Sequence, residues 1–143
     1  MSDQFSRMLL NKVMGLNRPT LALWPALTGA PAGGATLTPG AGAWGAYADI
    51  IAAAAITTEF WLTQIQYDTI GAATELFDLQ IYNTTLTTTL YEDRPDTTAA
   101  TANLGPTTPL FPIYCAPNTQ VQGRAGAAAA TTINTSLLVA TGI

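Results

Sequence analysis

Hydrophobic and polar positions alternate most clearly between Ile56 and Tyr82, ITTEFWLTQIQYDTIGAATELFDLQIY. In an extended chain successive side chains point to opposite faces. Thr58 to Tyr67 therefore reads as a strand with Phe60, Leu62, Gln64 and Gln66 on one face and Trp61, Thr63, Ile65 and Tyr67 on the other. After a break at Asp68 to Thr74, Phe77, Leu79 and Ile81 share one face and Asp78, Gln80 and Tyr82 the other. That is the signature of half-buried strands. The last stretch, Thr131 to Thr141, repeats it, with Ile133, Thr135, Leu137 and Val139 opposed to Thr132, Asn134, Ser136 and Leu138.

Weaker segments fill in the rest. Tyr47 to Ala55 is apolar enough for a buried helix or a buried strand, and it reads as strand because it runs into Thr58 to Tyr67. Leu86 to Tyr91 is rich in threonine and β-forming residues, with Asn83-Thr84 as its turn. Leu110 to Ala116 holds Pro112, which confines it to an edge or a strand start. Thr119 to Ala125 sets Gln120, Gln122 and Arg124 against the small Val121, Gly123 and Ala125; the Gly126 to Ala130 run after it predicts a bulge, a close backbone approach or an Ala-lined subunit contact. Glu92 to Pro109, with Pro95, Pro106 and Pro109, reads as a surface loop.

About seven short strands with turns between them predict an all-β fold, an antiparallel β-sandwich of the jelly-roll kind. Ahead of it, Phe5, Leu9, Val13 and Leu16 recur at helical spacing, predicting an extended or short-helical N-terminal arm. Pro25 to Gly45, PALTGAPAGGATLTPGAGAWG, reads as a flexible tether in which glycine and proline stop regular structure. The organisation expected is thus an arm and tether over residues 1–45 and a sandwich over 46–143. Trp24 and Trp44 bracket the tether as candidate interface anchors.

Composition changes the picture by pointing outward. Charged residues are 10% of the 143 and hydrophobic ones 48%, against about 25% charged in typical soluble domains. A surface this poor in ions predicts a chain covered by partners. The net charge of −4 argues against nucleic acid, because phosphate binding needs clustered Lys and Arg. The basic residues are uneven: Arg7, Lys12 and Arg18 lie in the first eighteen positions, opposed only by Asp3. The N-terminal stretch carries neither the long apolar run nor the cleavage site of a secretory signal, and the most apolar window, Ala46 to Leu62, is broken by Asp49 and Glu59. An unsecreted chain with no membrane span is the expectation. The two sequons, at Asn83 and Asn134, are then chance matches.

Candidate chemistry is thin. Without histidine there is no Ser-His-Asp or Cys-His nucleophile and no His-containing zinc site. Cys115 stands alone in an apolar run, a buried structural thiol. Gly33-Gly34 and Gly40-Ala41-Gly42 lack the Lys-Ser or Lys-Thr of a phosphate loop. The acidic cluster Glu92-Asp93-Arg94-Pro95-Asp96 has no EF-hand spacing, and Arg94 is better used pairing with a carboxylate than beside a cation. Glu59, Asp68, Glu75 and Asp78 read as strand-end charges rather than a glycosidase pair. Expected are no enzymatic activity, no metal and no cofactor. Trp61, Tyr67, Tyr82 and Tyr91 are the aromatic residues considered for sugar stacking.

A small, acidic, His-free β domain with an apolar basic arm resembles the decoration or cement proteins of tailed-bacteriophage capsids. Locally, Pro112-Ile113-Tyr114-Cys115-Ala116-Pro117, then Gly123-Arg124-Ala125 and a final apolar strand, are similar to jelly-roll phage structural proteins. The resemblance implies a homotrimer on the outer surface of the virion, made in the host cytoplasm, that clamps subunits of the major capsid protein. Phe5, Met8, Leu9, Leu10, Trp24 and Trp44 would then supply apolar contact, and Arg7, Lys12 and Arg18 would select an acidic partner. The competing expectation is a fibre or spike head that binds a host receptor or glycan through Trp61, Tyr67 and the Glu92 to Pro109 loop.

Overall fold

The computed structural model describes residues 6, 7, 9, 19–26, 34–70, 77–94, 112–129 and 131–142. Ser6, Arg7 and Leu9 are helical, and the rest of the described chain is strands and turns. The strands are β1 (Thr20–Trp24), β2 (Ala35–Leu37), β3 (Gly40–Ala41), β4 (Ala43–Trp44), β5 (Ala48–Ile51), β6 (Phe60–Ile70), β7 (Phe77–Asn83), β8 (Thr88–Asp93), β9 (Ile113–Cys115), β10 (Val121–Ala127) and β11 (Ile133–Thr141). One sheet runs β1-β11-β6-β9, with β2 also on β11; the other runs β4-β3-β10-β7-β8, with β5 also on β10.

Four pairings define the topology: β2 with β11, β5 with β10, β6 with β9 and β7 with β8. Among these eight strands the first meets the last, the second the seventh, the third the sixth and the fourth the fifth. The chain is therefore one long antiparallel hairpin rolled up, with successive pairs falling in alternate sheets. This is the jelly-roll form of the β-sandwich. The core lies between the sheets and holds Leu37, Ile51, Phe60, Leu62, Ile65, Tyr67, Phe77, Leu79, Ile81, Ile133, Leu137 and Val139.

On β7 and β11 the alternation holds as the sequence predicts: Phe77, Leu79 and Ile81 are buried, as are Ile133, Thr135, Leu137 and Val139. On β6 it does not. Phe60 and Leu62 face the core, yet so do Ile65 and Tyr67, which simple alternation puts on the other face. The correction comes from a bulge: Leu62 pairs with Val139 but Gln64 with Leu138, so Thr63 is an extra residue. An extra residue reverses the in-and-out phase beyond it. The Thr63 hydroxyl donates to the Leu138 carbonyl at 3.0 Å, which fills the gap in the ladder. A second shift opposite Asn134 and Thr135 follows Tyr67.

The tether reading of Pro25 to Gly45 is also corrected. Residues 27–33 lie outside the described chain, but β2, β3 and β4 fall within that range and belong to the sandwich. β1 likewise pairs with β11 over five residues, from Thr20 opposite Thr141 to Trp24 opposite Leu137. Tyr47 to Ala55 is strand only over Ala48–Ile51 and then turns. Ile113–Cys115 forms the edge of its sheet directly after Pro112, where a missing N–H costs no ladder bond. Gly123, on the small face of β10, leaves room for core side chains. A Cβ there would stand 2.8 Å from Ile50 Cδ1 and 3.1 Å from Leu37 Cδ1.

Cys115 is buried, and desolvation pushes its thiol up to about 12. Two results follow. Thiol reagent at pH 8 should leave the native protein unmodified and titrate one equivalent once it is denatured. Stability should hold below the ordinary thiol value of 9.0 and fall as pH climbs from there toward about 12, because the unfolded thiol ionises first. The Tyr91 phenol, raised by burial and by the nearby Asp93 carboxylate, adds loss of the same sign. A denaturation midpoint independent of pH up to 11 would contradict this.

Candidate functional site

The outward face of the β10-containing sheet carries the densest polar and aromatic arrangement among the described residues. Outward positions on β7 are Asp78, Gln80 and Tyr82, and on β10 they are Gln122, Arg124 and Gly126; the register sets Gln80 beside Arg124 and Glu92. Onto these the chain lays the β3–β4 hairpin. Gly42 at φ 69° makes its turn, and the Gly42 and Gly45 N–H groups each donate at 2.8 Å, to the carbonyls of Ala127 and Ala125. The glycines of the sequence's spacer thus allow a hairpin to lie flat against β10 and present Trp44.

Trp44 rests against Gly126, where an added Cβ would meet its ring at 3.4 Å. The Arg124 guanidinium is sandwiched, 4.8 Å from the Trp44 ring centroid and 4.6 Å from that of Tyr47. Such stacking draws on the negative face of each ring. Arg124 Nε and the Tyr47 hydroxyl both donate to Gln80 Oε1 at 2.7 Å, and Gln80 Nε2 donates to Glu92 at 2.5 Å. Gln80 is buried by these neighbours although it points out of the sandwich. Tyr47 packs on Tyr82 with centroids 4.9 Å apart. Beyond them Gln120 and Gln122 both donate to Asp49, at 2.7 and 2.8 Å.

Next to Trp44 two open depressions of about 420 and 430 Å³ share Trp44, Asp78 and Arg94. Gly42, Ala43, Gly126, Ala127 and Ala128 line the first, so its floor is nearly bare backbone. Glu92 and Asp93 line the second. Arg94 bridges to Asp78 through two bonds of 2.6 and 3.1 Å, and its guanidinium holds the Asp78 carboxyl below the usual range. Both side chains are well exposed, so the pair adds little to stability.

The residues singled out for partner contact disperse. Arg7 and Leu9 are exposed, while Phe5, Met8, Leu10, Lys12 and Arg18 lie outside the described residues. Trp24 is half-buried and packs against the core. Trp44 is 40% exposed. Of the aromatic residues considered for sugar, Tyr67 is in the core and donates its hydroxyl to Asp93 at 3.4 Å. Trp61 is buried beside Tyr114, with ring centroids 5.4 Å apart. Tyr91 packs against the core, and Tyr82 alone of the four stands in the outward cluster. The sequence reading missed Tyr47, Gln80 and Arg124, whose polar-outward positions at Gln80 and Arg124 were the available signal.

The acidic loop cluster also resolves into separate partners: Arg94 pairs with Asp78, and Glu92 accepts from Gln80. Pro95 and Asp96 lie outside the described residues, as does Glu75 of the strand-end carboxylates. Among the described residues no three His, Cys, Asp or Glu side chains are placed to hold a metal ion, and no helix is long and apolar enough to cross a membrane.

The fold and this face define a small jelly-roll domain with an ordered aromatic and polar plate. No family model matches the chain, and no curated protein matches it in sequence. A chain in the structure of infectious bursal disease virus Gt strain is similar to it with a TM-score of 0.40 and 12% identity, over 87% of this chain and 33% of that one. This chain thus spans about a third of that chain's length, and a likeness of this extent carries no argument about function.

Proposed function

We propose that this chain is a structural protein of a virion: a decoration or cement protein that sits on the outer capsid lattice as a homotrimer and clamps neighbouring major capsid subunits, without catalytic activity. The observation that supports the reading is β1. It is the outer strand of its sheet, its sequence TLALW carries no charge, and Leu21 is 58% exposed. Monomeric sandwiches commonly blunt such edges with charge or proline, and β1 holds neither. In the assembly proposed, a strand from another chain would pair with it.

The rest of the composition agrees. The jelly roll is an architecture used by viral capsid proteins, and a chain with only 10% charged residues suits contact with other subunits better than free solution. Upstream of β1, the exposed Leu9 offers apolar contact and Arg7, with Lys12 and Arg18 in the same stretch of sequence, offers positive charge for an acidic lattice. Three such arms joined through one trimer raise the effective concentration of each remaining contact, so weak individual contacts hold firmly together.

The test is co-sedimentation with capsid shells stripped of their decoration proteins. The intact chain should pellet with the shells, and a chain lacking residues 1–18 should not, while its circular dichroism stays the same. The cut must stop before Thr20, because removing β1 would take away the strand paired with Thr141 to Leu137. A free mass of 14.9 kDa at all concentrations, together with no pelleting, would defeat the proposal; pelleting by the truncated chain would take the arm out of it.

A further inference from the structure

We propose that the depressions beside Trp44 form a binding site for a neutral saccharide, a site that does not depend on the lattice reading above. The argument starts from Trp44, which a free-standing hairpin would leave mobile. Here its ring is fixed from beneath by Gly126 and by Arg124, and Arg124 is itself held by Tyr47 and by a buried Gln80. An aromatic ring locked in place while 40% exposed is a stacking platform whose ordering cost is met before any ligand arrives. The inter-sheet core needs none of this, since every member points out of it.

Charge decides the ligand class. Each described cation around the depressions already has its counterpart: Arg94 has Asp78, and Arg124 has two ring faces and the Gln80 oxygen. Glu92 accepts from Gln80 Nε2. Among the described residues lining the first depression the only charges are Asp78 and Arg94, which pair, so no excess of either sign is left there to draw in a phosphate or an ammonium group. The second, with Glu92 and Asp93 as well, is net negative and repels anions. What the surface offers is an apolar ring face beside the paired Asp78 carboxylate and Arg94 guanidinium, able to accept from and donate to adjacent hydroxyls. A pyranose presents the matching set, with C–H bonds on one face and hydroxyls around its edge. The floor of Gly42, Ala43, Gly126, Ala127 and Ala128 leaves room for it. A volume of about 420 Å³ lies within the range of about 300–1,000 Å³ usual for small-ligand sites. The second depression, across the Asp78–Arg94 bridge, gives a second ring somewhere to sit.

The experiment is saturation-transfer NMR on the full chain with neutral probes: the methyl glycosides of glucose, galactose, mannose and N-acetylglucosamine, and the β1,4-linked disaccharides of glucose and N-acetylglucosamine. At least one probe should bind saturably with a dissociation constant of about 0.1–5 mM, the range of a few hydrogen bonds and one stacked ring. Trp44→Ala should weaken it by about tenfold or more, as losing a stacked aromatic does, and Leu86→Ser, at an exposed turn elsewhere, should leave it unchanged. If Trp44→Ala unfolds, the isosteric Asp78→Asn takes its place and should weaken binding by at least about fivefold. No saturable binding by any probe at about 20 mM overturns the proposal, and so does affinity unaffected by the folded variant. Loss of shell pelleting in Trp44→Ala without saccharide binding would also overturn it, and would assign this face to a protein contact.

Discussion

Deleting Gln66 unfolds the protein, whereas deleting Thr63, three residues earlier on the same strand, leaves it folded. β6 carries one residue too many at Thr63, between the pairs Leu62 with Val139 and Gln64 with Leu138. Without Thr63 the strand alternates regularly, Phe60, Leu62, Ile65 and Tyr67 all still face inward, and the register with β11 is kept on both sides. The loss is one side-chain hydrogen bond to Leu138 and some local twist, about 1–2 kcal/mol. Without Gln66, by contrast, Tyr67 moves to the outer face and Asp68 takes its place. Removing a buried aromatic costs about 3–5 kcal/mol, and an unpaired carboxylate in the core adds several more. The sum meets the whole stability of an ordinary domain, about 5–15 kcal/mol. Urea denaturation followed by circular dichroism checks the pair; equal midpoints would show that the bulge does not set the phase of β6.

Gly45→Ala should lower stability by about 3 kcal/mol, made up of lost hairpin hydrogen bonds and overpacking. A Cβ at this position would lie 1.9 Å from the Thr38 carbonyl oxygen, 2.9 Å from its carbon and 3.1 Å from Pro39 Cα. All three are backbone atoms, so no side chain can swing aside. The hairpin must lift, which breaks the Gly45 N–H bond to Ala125 and strains that of Gly42 to Ala127. Trp44 then leaves Arg124. The melting temperature should fall by about 10 °C, and Trp44 emission should shift to the red. Gly42→Ala is the control. Its φ of 69° disfavours a side chain, but nothing lies within 4 Å of the added Cβ, so about 1–2 kcal/mol is expected. Equal losses at the two glycines would mean that the contact with Thr38 is not what holds Gly45.

These two predictions mark where the sequence was readable. Strands β7, β10 and β11 follow strict alternation, so their inward residues could be named from the period alone. β6 could not be read that way, because a bulge breaks the period without changing composition. Its trace was present in the spacing of Phe60 and Leu62 against Ile65 and Tyr67, two apolar pairs three positions apart. Gly40, Gly42 and Gly45 misled for a different reason. Glycine permits a loose spacer and a tightly docked hairpin equally well, and only the neighbouring backbone of β10 and Thr38 decides which. The aromatic plate was hidden because it joins Trp44 and Tyr47, Gln80, Glu92 and Arg124 from four separate stretches of chain. Trp61 and Tyr67 stood out as aromatic residues on the most clearly patterned strand, and the fold buries both.

The nested pairing of the strands also fixes an order of events as the polypeptide is made. β7 and β8 are joined by a four-residue turn and can zip as soon as both have emerged, after which β6 and β9, then β5 and β10, can close around them. Among the described strands β1 and β2 come out first and wait longest, since β11, against which both lie, is the last of them. Until then the apolar Thr20–Trp24 segment lacks the strand it pairs with in the finished fold. Closure over so long a separation is slow, on the order of milliseconds to seconds, and nascent copies crowded on one message have that interval in which to find each other.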